Sequence, residues 1–214
     1  MDQQQTNNLQ ISYARVAEEY VTRIFEELAH KPLDRALLDR FAEQVHRLGP
    51  TCDVGCGPGH VARYLHDRRL DVYGIDLSPR MIALAQQLNP GIAFTQGNML
   101  ALDCDDEAWG DITVFYSIIH VPREDGIRAL QEFRRVLRPG GLFLLAFHVG
   151  QDILHVDELW GEPVSLDFVF FRPEEMTGYL QAAGFVIDEV IERPPYPQVE
   201  HQSQRAYIFA RKPP

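Results

Sequence analysis

A chain of 214 residues, 45% of them hydrophobic, is long enough to bury a sizeable core as one domain and needs no second. Twenty basic residues against thirty-one acidic ones leave a net charge of −11, which repels phosphate backbones and anionic bilayers and argues against nucleic-acid or membrane partners. No apolar run approaches the ~20 residues that span a bilayer and the N-terminus lacks an export pattern, so a cytoplasmic protein is predicted; Cys52, Cys56 and Cys104 then read as small buried thiols, not as a disulfide or metal framework.

Residues 1–8, rich in Gln and Asn and without periodicity, are expected to be a disordered leader. Tyr13, Val16, Ala17, Tyr20, Val21, Ile24 and Leu28 make an apolar stripe at helical spacing, and Pro32 opens a second helix whose stripe runs through Leu33, Leu37, Leu38, Phe41, Val45 and Leu48 to Gly49-Pro50. Helices placed before a ligand-binding strand often close over the ligand. Tyr13 and Tyr20, with hydroxyls on a greasy face, are therefore candidates for contact with cofactor or substrate, the alternative being plain core cover.

Thr51 to Val54 reads as a buried strand, the glycines at 55, 57 and 59 cannot continue it, and Val61, Ala62 and Leu65 resume as a helix. Missing side chains in such a turn let a ligand lie against the backbone. A second strand, Asp71 to Asp76, ends on an acid 21 positions beyond Gly55, close to the ~20 at which nucleotide folds place a carboxylate on ribose hydroxyls; a cap for the helix after Ser78 is the alternative role. Ile92 to Gln96 is a third strand, and the Gly97-Asn98-Met99-Leu100 turn leaves it with an amide suited to an adenine edge and an apolar side chain suited to its face. The acids at 103, 105, 106 and 107 read as a solvated loop.

Asp111 to Ser117 is a fourth strand that runs into Ile118-Ile119-His120. A helix patterned by Ile127, Leu130, Phe133 and Leu137 stops at Pro139-Gly140-Gly141, before a fifth strand over Leu142 to His148. The stretch 150–171 is too long for a simple connection and too apolar for a solvated one, which predicts a lid or substrate wall. A helix from Pro173 to Gly184 then precedes strands over Phe185 to Ile191 and Arg205 to Lys212, which lack a helix between them and so should pair antiparallel around a 193–204 loop. Strand alternating with helix implies an α/β, doubly wound sheet covered by helices on both faces, with its ligand beyond the carboxyl ends of the strands.

Asp53-x-Gly55-x-Gly57-x-Gly59, Asp76, Gly97-Asn98-Met99, Asp111, the LRPGG before the fifth strand and the closing hairpin together resemble the class I S-adenosylmethionine-dependent methyltransferases, in particular the small-molecule branch that includes quinone-biosynthesis enzymes. The resemblance covers about residues 10–212 and implies a Rossmann-like seven-stranded sheet of order 3-2-1-4-5-7-6 with strand seven antiparallel, in one domain over 9–214 whose residues 9–48 form a helical cap. It also implies S-adenosylmethionine as cofactor and no metal. The three glycines would hold the methionine part, Asp53 would orient its amino group, Asp76 would take the ribose, and Leu77 and Met99 would sandwich adenine. Asn98, where the family often has an acid, would meet the adenine amine, and Ser117 would lie near the sulfonium. Tyr20, Cys56, Met81 and Leu100 adjoin these positions and complete the cofactor set. The fourth strand lacks the Asn/Asp-Pro-Pro-aromatic signature of enzymes that methylate nucleic-acid amines, which agrees with the charge and with a small-molecule acceptor.

Methyl transfer needs a base only where the acceptor must lose a proton. His120 at the crevice is the first candidate, with His148 and His201 behind it; for each the alternative is a capping or supporting role. Tyr13, Tyr116, Arg172 and Arg205 are the candidate substrate contacts, and the gathering of Arg172, Arg193, Arg205, His155 and His201 on the substrate side suggests an anionic acceptor. Two other classes compete: an NAD(P)-dependent oxidoreductase, disfavoured because Gly59 falls two rather than three positions after Gly57, and a non-catalytic cofactor-binding protein on the same fold. The acceptor, the atom methylated and the oligomeric state are not legible in the residues.

Overall fold

The structure is a computed structural model that describes residues 1–46 and 48–214. Seven strands form one sheet in the order β3-β2-β1-β4-β5-β9-β8, with β1 at Thr51–Val54, β2 at Val72–Asp76, β3 at Ala93–Gln96, β4 at Asp111–Phe115, β5 at Leu142–His148, β8 at Val186–Arg193 and β9 at Arg205–Arg211. The first five are mutually parallel, whereas β9 runs antiparallel to both β5 and β8. With β8 and β9 counted as the sixth and seventh strands, this is the predicted order.

The sheet is buried on both sides, and its central strands are correspondingly apolar throughout. Along β5, Phe143, Leu145 and Phe147 face one core, packed on Leu130 and Phe133 of α5 (Arg123–Val136) and on Met176 and Leu180 of α6 (Pro173–Ala182). Leu142, Leu144 and Ala146 face the other, under Leu38 and Phe41 of α2 (Pro32–Gln44), Val61 and Leu65 of α3 (His60–His66), and Ile82 of α4 (Pro79–Leu88). Between β3 and β4 the chain carries no helix, so the acid-rich loop itself closes that edge, with Arg135 of α5 bonded to the Asp106 carboxylate and the Cys104 carbonyl. Cys52, Cys56 and Cys104 are unbridged, and the first two are buried.

Two expectations need correction. Residues 3–8 are not an unstructured leader but the first turns of α1 (Gln3–Ile24): Asp2 Oδ1 accepts from Gln5 N–H while Gln5 Oε1 accepts from Asp2 N–H, each at 2.8 Å, a reciprocal cap that a lack of apolar periodicity does not reveal. The second helix stops a turn early. Val45 turns extended and Leu48 is exposed, its carbonyl bonded by Arg138, which lets Pro50 lead into β1. The stretch 150–171, expected as a lid or substrate wall, takes the form of a β-hairpin, β6 (Ile153–Leu159) and β7 (Glu162–Val169), turned through Trp160 and Gly161, both at positive φ. Val164 and Leu166 of β7 bury against Val16 of α1, so the period-two pattern along 162–169 was the signal. No helix among the described residues is long and apolar enough to cross a membrane.

Candidate functional site

Beyond the carboxyl ends of β1, β2 and β4 lies a crevice with about 810 Å³ of atom-free space, part of it open solvent, roofed by Leu9, Gln10, Tyr13 and Tyr20 of α1. The three turn glycines all have positive φ but different duties. A Cβ at Gly55 would lie 2.2 Å from Ser117 Cβ, and one at Gly59 would lie 2.8 Å from both Asn89 Nδ2 and Phe94, so these two are needed for packing. At Gly57 the nearest atom would be Tyr20 Cε1, 3.8 Å away, which leaves this glycine's open face toward the crevice. Gly55 and Gly57 line the space, as does Cys56, whose Sγ is 3.6 Å from the Gly57 carbonyl; Gly59 does not.

Asp76 stands at the end of β2 with each carboxylate oxygen accepting one backbone N–H, Oδ2 from Gly57 at 2.9 Å and Oδ1 from Ser78 at 2.8 Å. The helix cap is Ser78, not Asp76: Ser78 Oγ accepts from Met81 N–H. Burial pushes the Asp76 carboxyl pKa up, partly offset by those two donors. Leu77, Met81, Asn98 and Met99 line the same space, with Asn98 Oδ1 turned back onto Leu100 N–H at 2.9 Å. Leu100 lies in the core instead. Ser117 reaches the crevice, with its Oγ donating to the Val54 carbonyl at 2.8 Å.

Asp53 sits one layer below. Its Oδ1 accepts from Thr113 Oγ1 at 3.0 Å, while Oδ2 is buried without a partner, and burial raises its pKa to about 6. An ionised oxygen in that position calls for a donor.

At the other end, His120 is held from both sides. A carbonyl only accepts, so Nδ1 carries the hydrogen that it donates to the Asp167 carbonyl of β7 at 3.0 Å; Nε2 then accepts from the Tyr13 hydroxyl at 2.6 Å. Burial lowers the imidazole pKa to about 4, which keeps the ring neutral, and raises that of the Tyr13 phenol, with the Asp76 charge adding to it. Tyr13 and His120 both line the crevice, so the hydroxyl stands between the ring and the space beyond.

The remaining candidates lie outside. His148 donates or accepts through Nδ1 with Ser203 Oγ, stacks on Phe170 at 5.2 Å, and is held at a pKa of about 2 by burial and by Arg205; His201 is exposed in the 193–204 loop. Arg205 is buried and paired with Glu200 at 3.4 Å, and Arg193 bonds Asp34 at 2.8 Å. Arg172 is exposed and bonded to Gln151, and His155 bridges Asp157 and Asp167 on the outer hairpin. The predicted anion-binding gathering is therefore not formed at the crevice: Arg172 is bonded to the Gln151 amide, His155 faces acids of its own hairpin, and Asp34 and Glu200 occupy Arg193 and Arg205. That buried network instead holds Tyr116, which lines the crevice at a φ of +51° with its hydroxyl donating to Asp34 at 3.1 Å and sharing a 2.7 Å bond with Tyr207. Met1, Leu9, Gln10, His60 and Phe115 also line the space and were missed; the first three fall in or beside the expected leader, and no motif marks the other two.

Residues 52–141 match the family model described as a methyltransferase domain. Over that stretch the chain is similar to S-adenosylmethionine-dependent methyltransferases. It is 28% identical over 134 residues to a malonyl-[acyl-carrier protein] O-methyltransferase of Enterobacter lignolyticus, across 61% of this chain and 52% of that protein, so it spans about half the length of that relative. Against a ubiquinone biosynthesis O-methyltransferase of Pseudomonas aeruginosa the identity is 24% over 83% of this chain and 87% of the other. A structure described as a DhpI–SAH complex superposes with a TM-score of 0.76 at 22% identity, covering 100% of both chains, which establishes the shared fold. These similarities point to S-adenosylmethionine as cofactor, and the crevice fits it: Gly57 leaves room that a Cβ would fill, and Asp76 presents a carboxylate. Nothing in the site favours a nicotinamide cofactor, since Gly59 is spent on packing against Phe94.

Proposed function

We propose that this protein transfers the methyl group of S-adenosylmethionine to a small, uncharged acceptor bearing a hydroxyl. The carrying observation is that the open face of Gly57, the Asp76 carboxylate and the Tyr13–His120 pair border one crevice under α1. Asp76 would take the ribose hydroxyls, Met99 and Leu77 would flank the adenine with Asn98 at its edge, and Asp53 would lie toward the amino-acid part. When bound, the cofactor supplies an activated methyl on a sulfonium that leaves as a neutral thioether.

The protein's own contribution is alignment, exclusion of water by α1 and the β6–β7 hairpin, and one proton path. As the acceptor oxygen takes the methyl, its proton passes to the Tyr13 oxygen and Tyr13's proton to His120 Nε2. The Asp167 carbonyl holds the ring in the tautomer that can receive it. The imidazole would then carry the positive charge that a sulfonium cofactor gives up, so the buried site would keep its net charge. Two features support the acceptor class: Arg172, Arg193 and Arg205 are engaged away from the crevice, and the relative that covers 83% of this chain is named as a ubiquinone biosynthesis O-methyltransferase. Calorimetry should detect S-adenosylhomocysteine and not NAD, and labelled cofactor should methylate a small-molecule fraction of a metabolite extract. Tyr13→Phe should lower kcat roughly 100-fold or more with cofactor affinity kept. NAD binding, or label transferred to nucleic acid instead, would refute this reading.

A further inference from the structure

Two buried polar atoms near the glycine turn lack a partner, one on the crevice lining and one beneath it. Asp53 Oδ2 is one. The other is Nδ1 of His60, the residue that follows Gly59 and lines the crevice. On its far side the ring faces a carboxylate, with Nε2 3.5 Å from Glu27 Oε1; both side chains are nearly buried, at 12% and 13% exposure. That carboxylate is tied down in turn, because Lys31 Nζ lies 2.7 Å from Glu27 Oε2. A carboxylate cannot donate, so the ring nitrogen facing it carries the hydrogen, and in the neutral ring the opposite nitrogen is an acceptor. His60 Nδ1, on the crevice lining, is the acceptor that a primary ammonium in the crevice would meet.

Resting on the adenosyl reading above, we infer that His60, set in its acceptor tautomer by Glu27, recognises the α-ammonium of the cofactor and makes this chain select ligands that carry that amine. Glu27 is a positioning residue, since it acts through the ring. The sequence hides this: Glu27 sits in a short 3-10 helix over Glu27–His30, 33 positions before His60, and only the packing of that helix on α3 brings them together.

The test compares three ligands by calorimetry: S-adenosylhomocysteine, its desamino analogue, which keeps the carboxylate, and 5′-methylthioadenosine, which lacks the whole amino-acid part. The wild type should prefer S-adenosylhomocysteine to the desamino analogue by on the order of 100-fold. His60→Phe should cut that preference roughly tenfold with 5′-methylthioadenosine affinity unchanged, which also shows that the variant folds, and His60→Asn, which returns an acceptor near the Nδ1 position, should restore it. In ¹⁵N spectra of the S-adenosylhomocysteine complex the His60 ring should carry its hydrogen on Nε2. Equal wild-type affinity for the first two ligands, an unchanged preference in His60→Phe, or a hydrogen on Nδ1 overturns the inference and leaves the adenosyl reading standing. A wild type that binds none of the three overturns both.

Discussion

Replacing Asp76 with Asn isolates the group proposed above to take the ribose. Each Asp76 oxygen already accepts one backbone N–H, from Gly57 at 2.9 Å and Ser78 at 2.8 Å, and each retains a second lone pair on the crevice side. Two ribose hydroxyls donating there make charge-assisted bonds worth about 1.5–3 kcal/mol each; after desolvation of a partly buried carboxylate, a combined loss of about 3–4 kcal/mol, or roughly 100- to 1,000-fold in Kd, is expected. The amide keeps one of the two backbone bonds and turns an NH2 toward the other donor, so stability should drop by about 1 kcal/mol and Tm by roughly 2–4 °C. Calorimetry with S-adenosylhomocysteine and with adenosine, alongside thermal melts, reads both quantities. Because the two ligands share the ribose, both affinities should fall by the same factor. A folded Asp76→Asn protein that binds either ligand within threefold of wild type would refute the placement of the ribose.

The glycines should separate by duty. Gly57→Ala should melt within a few degrees of wild type and lose cofactor affinity, whereas Gly55→Ala, whose Cβ would fall 2.2 Å from Ser117, should lose several kcal/mol in denaturant titration. Asp53 is an acid whose folded pKa lies above its ordinary 3.8, at about 6, so the stability linked to it is full below 3.8 and lost as pH rises through 6. Asp53→Asn should therefore stabilise the ligand-free protein above pH 7, by up to about 3 kcal/mol, with the gain gone near pH 4; equal gains at both pH values would refute the burial argument. Glu200→Gln should cost about 3–5 kcal/mol, since it strips a partner from buried Arg193, Arg205 and Lys31 together, while Arg172→Gln on the surface should change neither Tm nor cofactor affinity. His120, whose folded pKa is depressed to about 4, contributes stability that is full above 6.5 and lost as pH falls toward 4, and chemical-shift titration of its ring should show no protonation at pH 6.

That the glycine turn, Asp76, Asn98 and Met99 line one crevice was legible because each of these parts is local. A glycine turn, a strand-end acid and an Asn-Met turn are short segments whose spacing along the chain is also their placement, once strand and helix alternate and the carboxyl ends of parallel strands share one edge. Strand order and the antiparallel β9 followed from the same alternation and from the missing helix after β8. What the tertiary structure alone decided are pairings between segments far apart in sequence: Tyr13 on His120, Glu27 on His60, Glu200 on Arg193 and Arg205. Side-chain periodicity reports which face of an element is buried, and it carries no record of what lies opposite. So an arginine read as a hook for an anion was already neutralised by a distant acid, and a histidine read as a free base was already capped by a tyrosine, because charge and hydrogen-bond partners are settled by distance in space and not by position in the chain.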